Sequence, residues 1–576
     1  MDPGEGLPDV AAAFVTIRSR GEIVGRFTVT NESGALGPKA THSAVQKAWQ
    51  RANLHMPLEE SLLATGDEAN KARELTISME LTDNLVPFAP TEDWIDLVAP
   101  MTPPGHDGVA VRVGDRVFAM FPGEMVQTGI DPMGAWRTRL ADAIGQRMFK
   151  ADHQLRSPKD LADNEGVSFY RFQTLQLAQL EPEGQPVFLH RLGSVVQSKQ
   201  FGMSDVPRWA SVMAQQMIRR RWPGQEPYGI GGDFLPQFGT FSKENPIADP
   251  VSAAMAALAL RRFSETPGVD RGVAADARMF ATDILVSLAE VGPGEIDPAS
   301  SPISAAAVVI ALTEPVERSS GASTTLDALL MKMASVVVAA MSTDGAIVDD
   351  VPHEHHAMIA WAMVRLSRHE SGLVTKAQAT KAVQGVMLDA GFEQQVAHWP
   401  WIGWAAIELA GEDDNIIGKL ALVETRHRIW EYQLRLADLA QRDVDLAGGI
   451  VFIRSSSPIP TWNTARPMAL IATMLGDSRL TTILDTDQKM TTEFASEMSR
   501  LQQSIRFLRQ LTADEIVVHR YMLPSRALGG VRSAVWDDTM PLSAQALVLL
   551  TACETQRSMN RVAALLAAPE QPAVER

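Results

Sequence analysis

Six times between residues 231 and 552, a loop runs through Gly and Pro into a short stretch of small apolar residues. The copies include ADPVSAAMAALAL from Ala248, SPISAAAVVIAL from Ser301, VPHEHHAMIAWAMVRL from Val351 and HWPWIGWAAIELA from His398. Two more are TARPMALIATML from Thr464 and PLSAQALVLL from Pro541. A repeat of this kind is one supersecondary unit, and it can bury its apolar face only against its neighbours. Longer, more charged helical segments alternate with the short ones, at 205–222, 274–291, 325–341, 375–389, 415–441 and 486–511. A helix apolar on every side is enclosed, while one with a single apolar stripe lies outside. The alternation therefore predicts an all-α (α/α)6 toroid of six helix-hairpin repeats over residues 204–567, with residues 568–576 as a tail.

Residues 1–181 carry a different period. AFVTIR from Ala13 and RFTVT from Arg26 flank the turn signal SRGE, which predicts a hairpin. ELTISMEL from Glu74 alternates polar and apolar residues as a half-buried strand does. VAVRV, Gly114-Asp115 and RVFAMF form a second hairpin signal, VSFYRF from Val167 reads as a further strand, and 42–51 and 135–149 have helical composition. This is an α+β domain. The Pro-, Gly-, Gln- and Ser-rich stretch 182–203 reads as a linker or strap between the two.

The chain has 576 residues, too many for one ordinary core, so two domains are expected. A net charge of −17 argues against nucleic acid and anionic membrane as partners. The N-terminus lacks a signal-peptide layout, and the single cysteine, Cys553, suits a reducing compartment. A cytoplasmic protein is the expectation.

The N-terminal order resembles the AMMECR family. That family opens on a strand, a glycine-bearing hairpin and a second strand, here FVTIRSRGEIVGRFTVT from Phe14 to Thr30. Its DGV-VR-G-R stretch is similar to DGVAVRVGDRVFAMFP from Asp107 to Pro122, and its YRF strand to Tyr170–Phe172. The resemblance spans about residues 10 to 180 and implies an AMMECR-like domain. Of the family's LRGCIG-type motif only Gly25 is kept, and Arg26 stands where the cysteine would be. The second half is similar to the toroids of terpenoid cyclases, protein prenyltransferase β subunits and sugar-acting enzymes. The shared phrase is a Gly-Gly pair followed by small apolar residues, at Gly448-Gly449 with TARPMAL and at Gly529-Gly530 with PLSAQAL. This resemblance implies shape rather than chemistry. The cyclase DxDD acid motif is not kept in Asp443-Val-Asp445, and Cys553 reads as a core thiol rather than a zinc ligand.

In such a ring the loops entering the inner helices gather at one mouth, where helix N-termini favour anionic groups. Trp399, Trp401, Trp462 and Trp536 are expected to wall a ligand there, with Arg454 and Arg532 orienting it. The pairs Asp349-Asp350 and Asp537-Asp538 place carboxylates close together, where repulsion raises one pKa. Asp350, Asp537 and Asp538 are the candidate acids or bases, with His353 as a base near Asp350. On a helix His353 and His356 share a face, and with Asp349 or Asp350 they offer zinc or iron donors. That spacing matches no established ligand motif, so neither metal nor cofactor is expected. The expected function is a binding or adaptor scaffold with a ligand-size cavity at the toroid mouth, taking a small molecule or a protein partner. The alternative is a toroid enzyme using Asp acid/base chemistry on a carbohydrate-like or terpenoid/polycyclic substrate.

Overall fold

A sheet-rich N-terminal region is followed by a helical one in the computed structural model. It describes residues 9–567 apart from 32–35, 38, 53–72, 94–101, 103, 145–156, 223–228, 245, 291–296, 316–322, 349, 370–371, 390–391, 453–458 and 488. Strands β1 (Ala12–Ser19), β2 (Glu22–Thr30), β3 (Leu75–Thr82), β4 (Val86–Phe88) and β5 (Asp107–Val113) are followed by β6 (Arg116–Met120), β7 (Ser168–Gln173), β8 (Leu175–Gln179) and β9 (Pro186–Leu189). They make two antiparallel sheets, ordered β2-β1-β3-β8-β9 and β4-β7-β5-β6.

Period-2 alternation decides what each face meets. On β1, Ala13, Val15 and Ile17 pack under the helix Lys39–Arg51, while Ala12 and Phe14 turn toward Ala110, Phe121 and Phe172 of the other sheet. On β5, Val109 and Val111 point the opposite way, against Trp136 and Leu140 of the helix Pro132–Ile144. The layers run helix, sheet, sheet, helix. Both expected hairpins form, and Arg20 and Gly21 both have positive φ in the β1–β2 turn, as tight hairpin turns require. The stretch 182–203 is not all linker, because Pro186–Leu189 pairs with β8 as an edge strand. Only after it does the chain become a strap, turning at Arg191 and Leu192, two non-glycine residues in left-handed conformation.

In the helical region, the helices Pro250–Ser264, Pro302–Leu312, His356–Arg368, Trp401–Ala410, Ala465–Leu475 and Leu542–Ala567 bury nearly every residue of their apolar runs. Others, such as Arg271–Glu290 and Thr492–Leu511, bury a stripe. Pro250 and Pro302 sit in the first turn, behind N-caps from Asp249 and Ser301. Pro250–Ser264 packs on Pro302–Leu312, which packs on His356–Arg368, which packs on Trp401–Ala410. Trp404 Nε1 then donates to Thr473 Oγ1 at 2.8 Å, tying that helix to Ala465–Leu475. Ala465–Leu475 packs on Leu542–Ala567, which returns to Pro250–Ser264, so the succession closes on itself.

The segment 415–441 is not one helix. Lys419–Ile429 ends in a short 3-10 turn, and Tyr432 and Leu434 then exchange backbone bonds with Gly448, Gly449 and Val451. Pairing with the next loop competes successfully with continued helix there.

The helices meet at a buried charge network. Arg262 reaches Glu314 at 3.0 Å and Glu554 at 3.1 Å, and Arg365 reaches Glu314 at 3.0 Å and Glu408 at 2.6 Å. Trp361 Nε1 donates to Glu408 at 2.8 Å, and the Arg262 guanidinium lies 4.4 Å from the Trp404 ring centroid. Burial alone would raise the Glu314 carboxyl. The charges of Arg262 and Arg365 outweigh it and hold the group down at about 2. No helix among the described residues is long and apolar enough to cross a membrane.

Candidate functional site

The loops that enter the buried helices carry two groups of polar side chains. One is a wall of imidazoles and aromatic rings. His353–His355 forms a single 3-10 turn ahead of His356–Arg368. It brings His353 and His356 together as the sequence spacing implies, with ring centroids 5.2 Å apart. His398, the last residue of the helix Phe392–His398 ahead of Trp401–Ala410, completes the cluster 4.8 Å from His353 and holds the His353 carbonyl through Nε2 at 3.1 Å. Burial lowers the His398 pKa, and the neighbouring His353 and His356 lower it further. Beside it the Trp399 ring lies tilted against Phe452 at 5.9 Å, and Phe452 against Tyr432 at 5.5 Å.

The second group lies between the two regions. Past Phe14, the inward face of β1 carries Thr16 and Arg18, paired in register with Ser78 and Thr76 of β3. Glu80 and Gln176 extend the same face, directly opposite one another on β3 and β8. Against this polar face sit Gln237, His519, Arg520 and Asp538 of the helical region, enclosing a small cavity of about 30 Å³. Arg520 ion-pairs with Asp538, and Gln237 donates to the Val126 carbonyl at 2.7 Å. Glu80 accepts the Gly123 N–H at 3.1 Å. That bond does not offset burial, which pushes the Glu80 carboxyl up to about 7. Burial, helped by Arg520, lowers Arg18 to about 9, and burial lowers His519 to about 3. Close approach completes the contact. A Cβ on Gly21 would stand 2.0 Å from the Tyr521 carbonyl oxygen, and one on Gly105 would stand 2.9 Å from Trp536. Arg191 of the strap pairs with Asp443, and with Asp445 at 3.0 Å.

The expected site residues are scattered over these surroundings. Asp538 is 1% exposed and ion-paired with Arg520 and Arg532 of its own region, where the polar face of the sheet covers it. Asp537 is exposed and accepts the Thr539 N–H at 2.9 Å. Asp350 is exposed on the loop before His353. Arg532 is 1% exposed and donates to the carbonyls of Gln510, Leu511 and Val535, a structural clamp. Trp401 is buried and stacks on Trp361 in the core at 5.7 Å. Trp399 is buried, whereas Trp462 and Trp536 are half-buried. Trp536 faces Gly105 of the sheet region. Arg454 and Asp349 lie outside the described residues. Cys553 is a core thiol, raised by burial to about 11.

No protein-family model matches the chain, and neither does any curated protein sequence. Among solved structures, an uncharacterized protein from Pyrococcus horikoshii is similar at 17% identity and a TM-score of 0.21, over 33% of this chain and 85% of that one. A family 76 glycoside hydrolase from a bovine Bacteroides thetaiotaomicron strain is similar at 8% identity and a TM-score of 0.25, over 83% of this chain and 95% of that one. Likenesses this faint do not bear on what the chain does.

Proposed function

We propose that the chain is a binding scaffold. In this reading the helical region is a toroid of six helix-hairpin repeats, and the sheet region, an AMMECR-type domain, docks against its mouth. The closed succession of helix contacts supports the ring. The AMMECR assignment rests on the strand and hairpin order and on Tyr170–Phe172. The ligand seat is the imidazole and aromatic wall of His353, His356, His398, Trp399, Tyr432 and Phe452.

One observation carries the preference for binding over catalysis. Glycoside hydrolysis by aspartate acid/base chemistry needs two carboxyl groups in different roles flanking one bond. Here Asp538 is ion-paired to Arg520 under the docked sheet, while Asp350 and Asp537 are exposed on separate loops. His353, half-buried with His398 on its carbonyl, serves as a hydrogen-bonding wall.

Native mass spectrometry of the chain isolated from its own cells tests this, beside a reducing-end assay on a panel of polysaccharides. The expected result is a stoichiometric non-covalent adduct without turnover. Turnover that disappears in the Asp350→Asn and Asp537→Asn variants would establish the enzyme reading instead.

A further inference from the structure

The sheet region carries a second recess, outside the contact with the helices. It is a groove of about 290 Å³ between the edge strands β2 and β6, lined among others by Arg26, Thr28, Thr30, Arg51 and Arg139. The pleat explains the lining. Arg26, Thr28 and Thr30 alternate along β2 and so share one face, while Phe27 and Val29, at the positions between, pack toward the helix Lys39–Arg51. The Thr30 hydroxyl donates to the Val117 carbonyl at 3.0 Å and the Thr28 hydroxyl to Glu124 at 3.1 Å, which fixes the two edges side by side. Phe14 and Ala119 make a buried floor.

The groove concentrates positive charge in a chain whose net charge is −17. Three guanidinium groups face one carboxylate, Glu124, and only Arg139 is paired with it. Arg51 is held in place by stacking, its guanidinium carbon 4.6 Å from the Phe27 ring centroid, and Lys47 approaches the same ring at 4.9 Å. Arg26 and Arg51 have no carboxylate partner among the described residues. A guanidinium fork held on a ring, a second one beside it and the threonine hydroxyls suit a phosphate or carboxylate group, which takes bidentate charge-assisted bonds.

We propose that this groove is a binding site for a small oxyanion ligand, the phosphate group of a compact metabolite. The volume lies at the lower end of small-molecule sites, enough for the phosphate and a body of a few carbons. Arg26 and Arg51 clasp the anion, and Arg139, braced by Glu124 and Asp142, forms the back wall.

Isothermal titration with inorganic phosphate, against chloride at matched ionic strength, tests the site in the full chain. Saturable phosphate binding is expected, weakened at least about tenfold in Arg26→Gln and in Arg51→Gln. Arg435→Gln, an exposed arginine of the helical region, is expected to leave it unchanged. Thermal midpoints of the two groove variants, expected to match the parent chain, separate lost binding from lost folding. Titration that fails to saturate, or that is equal in all four proteins, would overturn the proposal.

Discussion

The two buried charge networks are built from the same residue types and behave in opposite ways. Where the helices meet, Arg262 and Arg365 are shared among Glu314, Glu408 and Glu554, and Glu314 is held far below the usual carboxylate range. Between the two regions, Glu80 accepts bonds from neutral donors and rises to about 7, while Arg18, whose one hydrogen bond among the described residues is to Ser78 at 3.0 Å, falls to about 9. Burial is comparable, so compensation makes the difference. A buried charge with close opposite partners keeps its charge, whereas one without them moves toward neutrality. The helical network therefore fixes the fold across the physiological pH range, and the contact between regions titrates within it.

Breaking the compensated network should cost the most. Glu314→Ala leaves Arg262 without its nearest partner and deprives Arg365 of one of its two, for a loss of about 3–5 kcal/mol. The urea midpoint of the helical circular dichroism signal reads it. A cost no larger than that of the Glu80 variant below would erase the contrast.

Gly21→Val attacks the contact between regions without touching a charge. The turn has φ of +88° and the Tyr521 carbonyl stands in the way, so a loss of about 2 kcal/mol or more is expected. Limited proteolysis should then cut the strap around residues 194–202 faster, with the helical core still intact.

Glu80→Gln sharpens the electrostatic side. Between the ordinary carboxylate pKa and about 7, the folded state binds a proton that the unfolded state has released. Stability contributed by that proton is present at low pH and lost as pH rises through 7. The variant has no such loss, so its stability relative to the parent should rise between pH 5 and pH 8, by on the order of 2 kcal/mol. His519 has the opposite slope, losing stability as pH falls from its ordinary value toward 3. It is common to both proteins and cancels in the difference. Asp350→Asn and Asp537→Asn, exposed and outside both networks, should move stability by less than about 0.5 kcal/mol.

Much of this architecture was legible in the chain. Gly21 and Gly114 marked the two hairpins, and the small apolar runs marked the buried helices. Periodicity says which residues share a face but not what covers it. The polar side of β3, with Ser78 and Glu80, reads as solvent-facing, yet the helical region covers it. Polar residues at alternate positions of neighbouring strands (Thr16, Arg18, Ser78, Glu80, Gln176) were the available signal. Likewise the charges set into apolar helices, Arg262 (beside Arg261), Arg365, Glu408 and Glu554, marked a network that lies away from the loops. His353 and His356 were paired correctly by helical spacing. His398 joins them through tertiary packing that no local spacing encodes.

The central claim is that the sheet region is locked onto the loops of the helical region as one body. Because the chain's single cysteine is buried, spin labels on Asp115→Cys and Leu388→Cys, exposed positions in the two regions, would report their separation by electron–electron double resonance. One narrow distance distribution, broadened by Gly21→Val, is the expected result. A broad distribution in the parent chain would contradict the account.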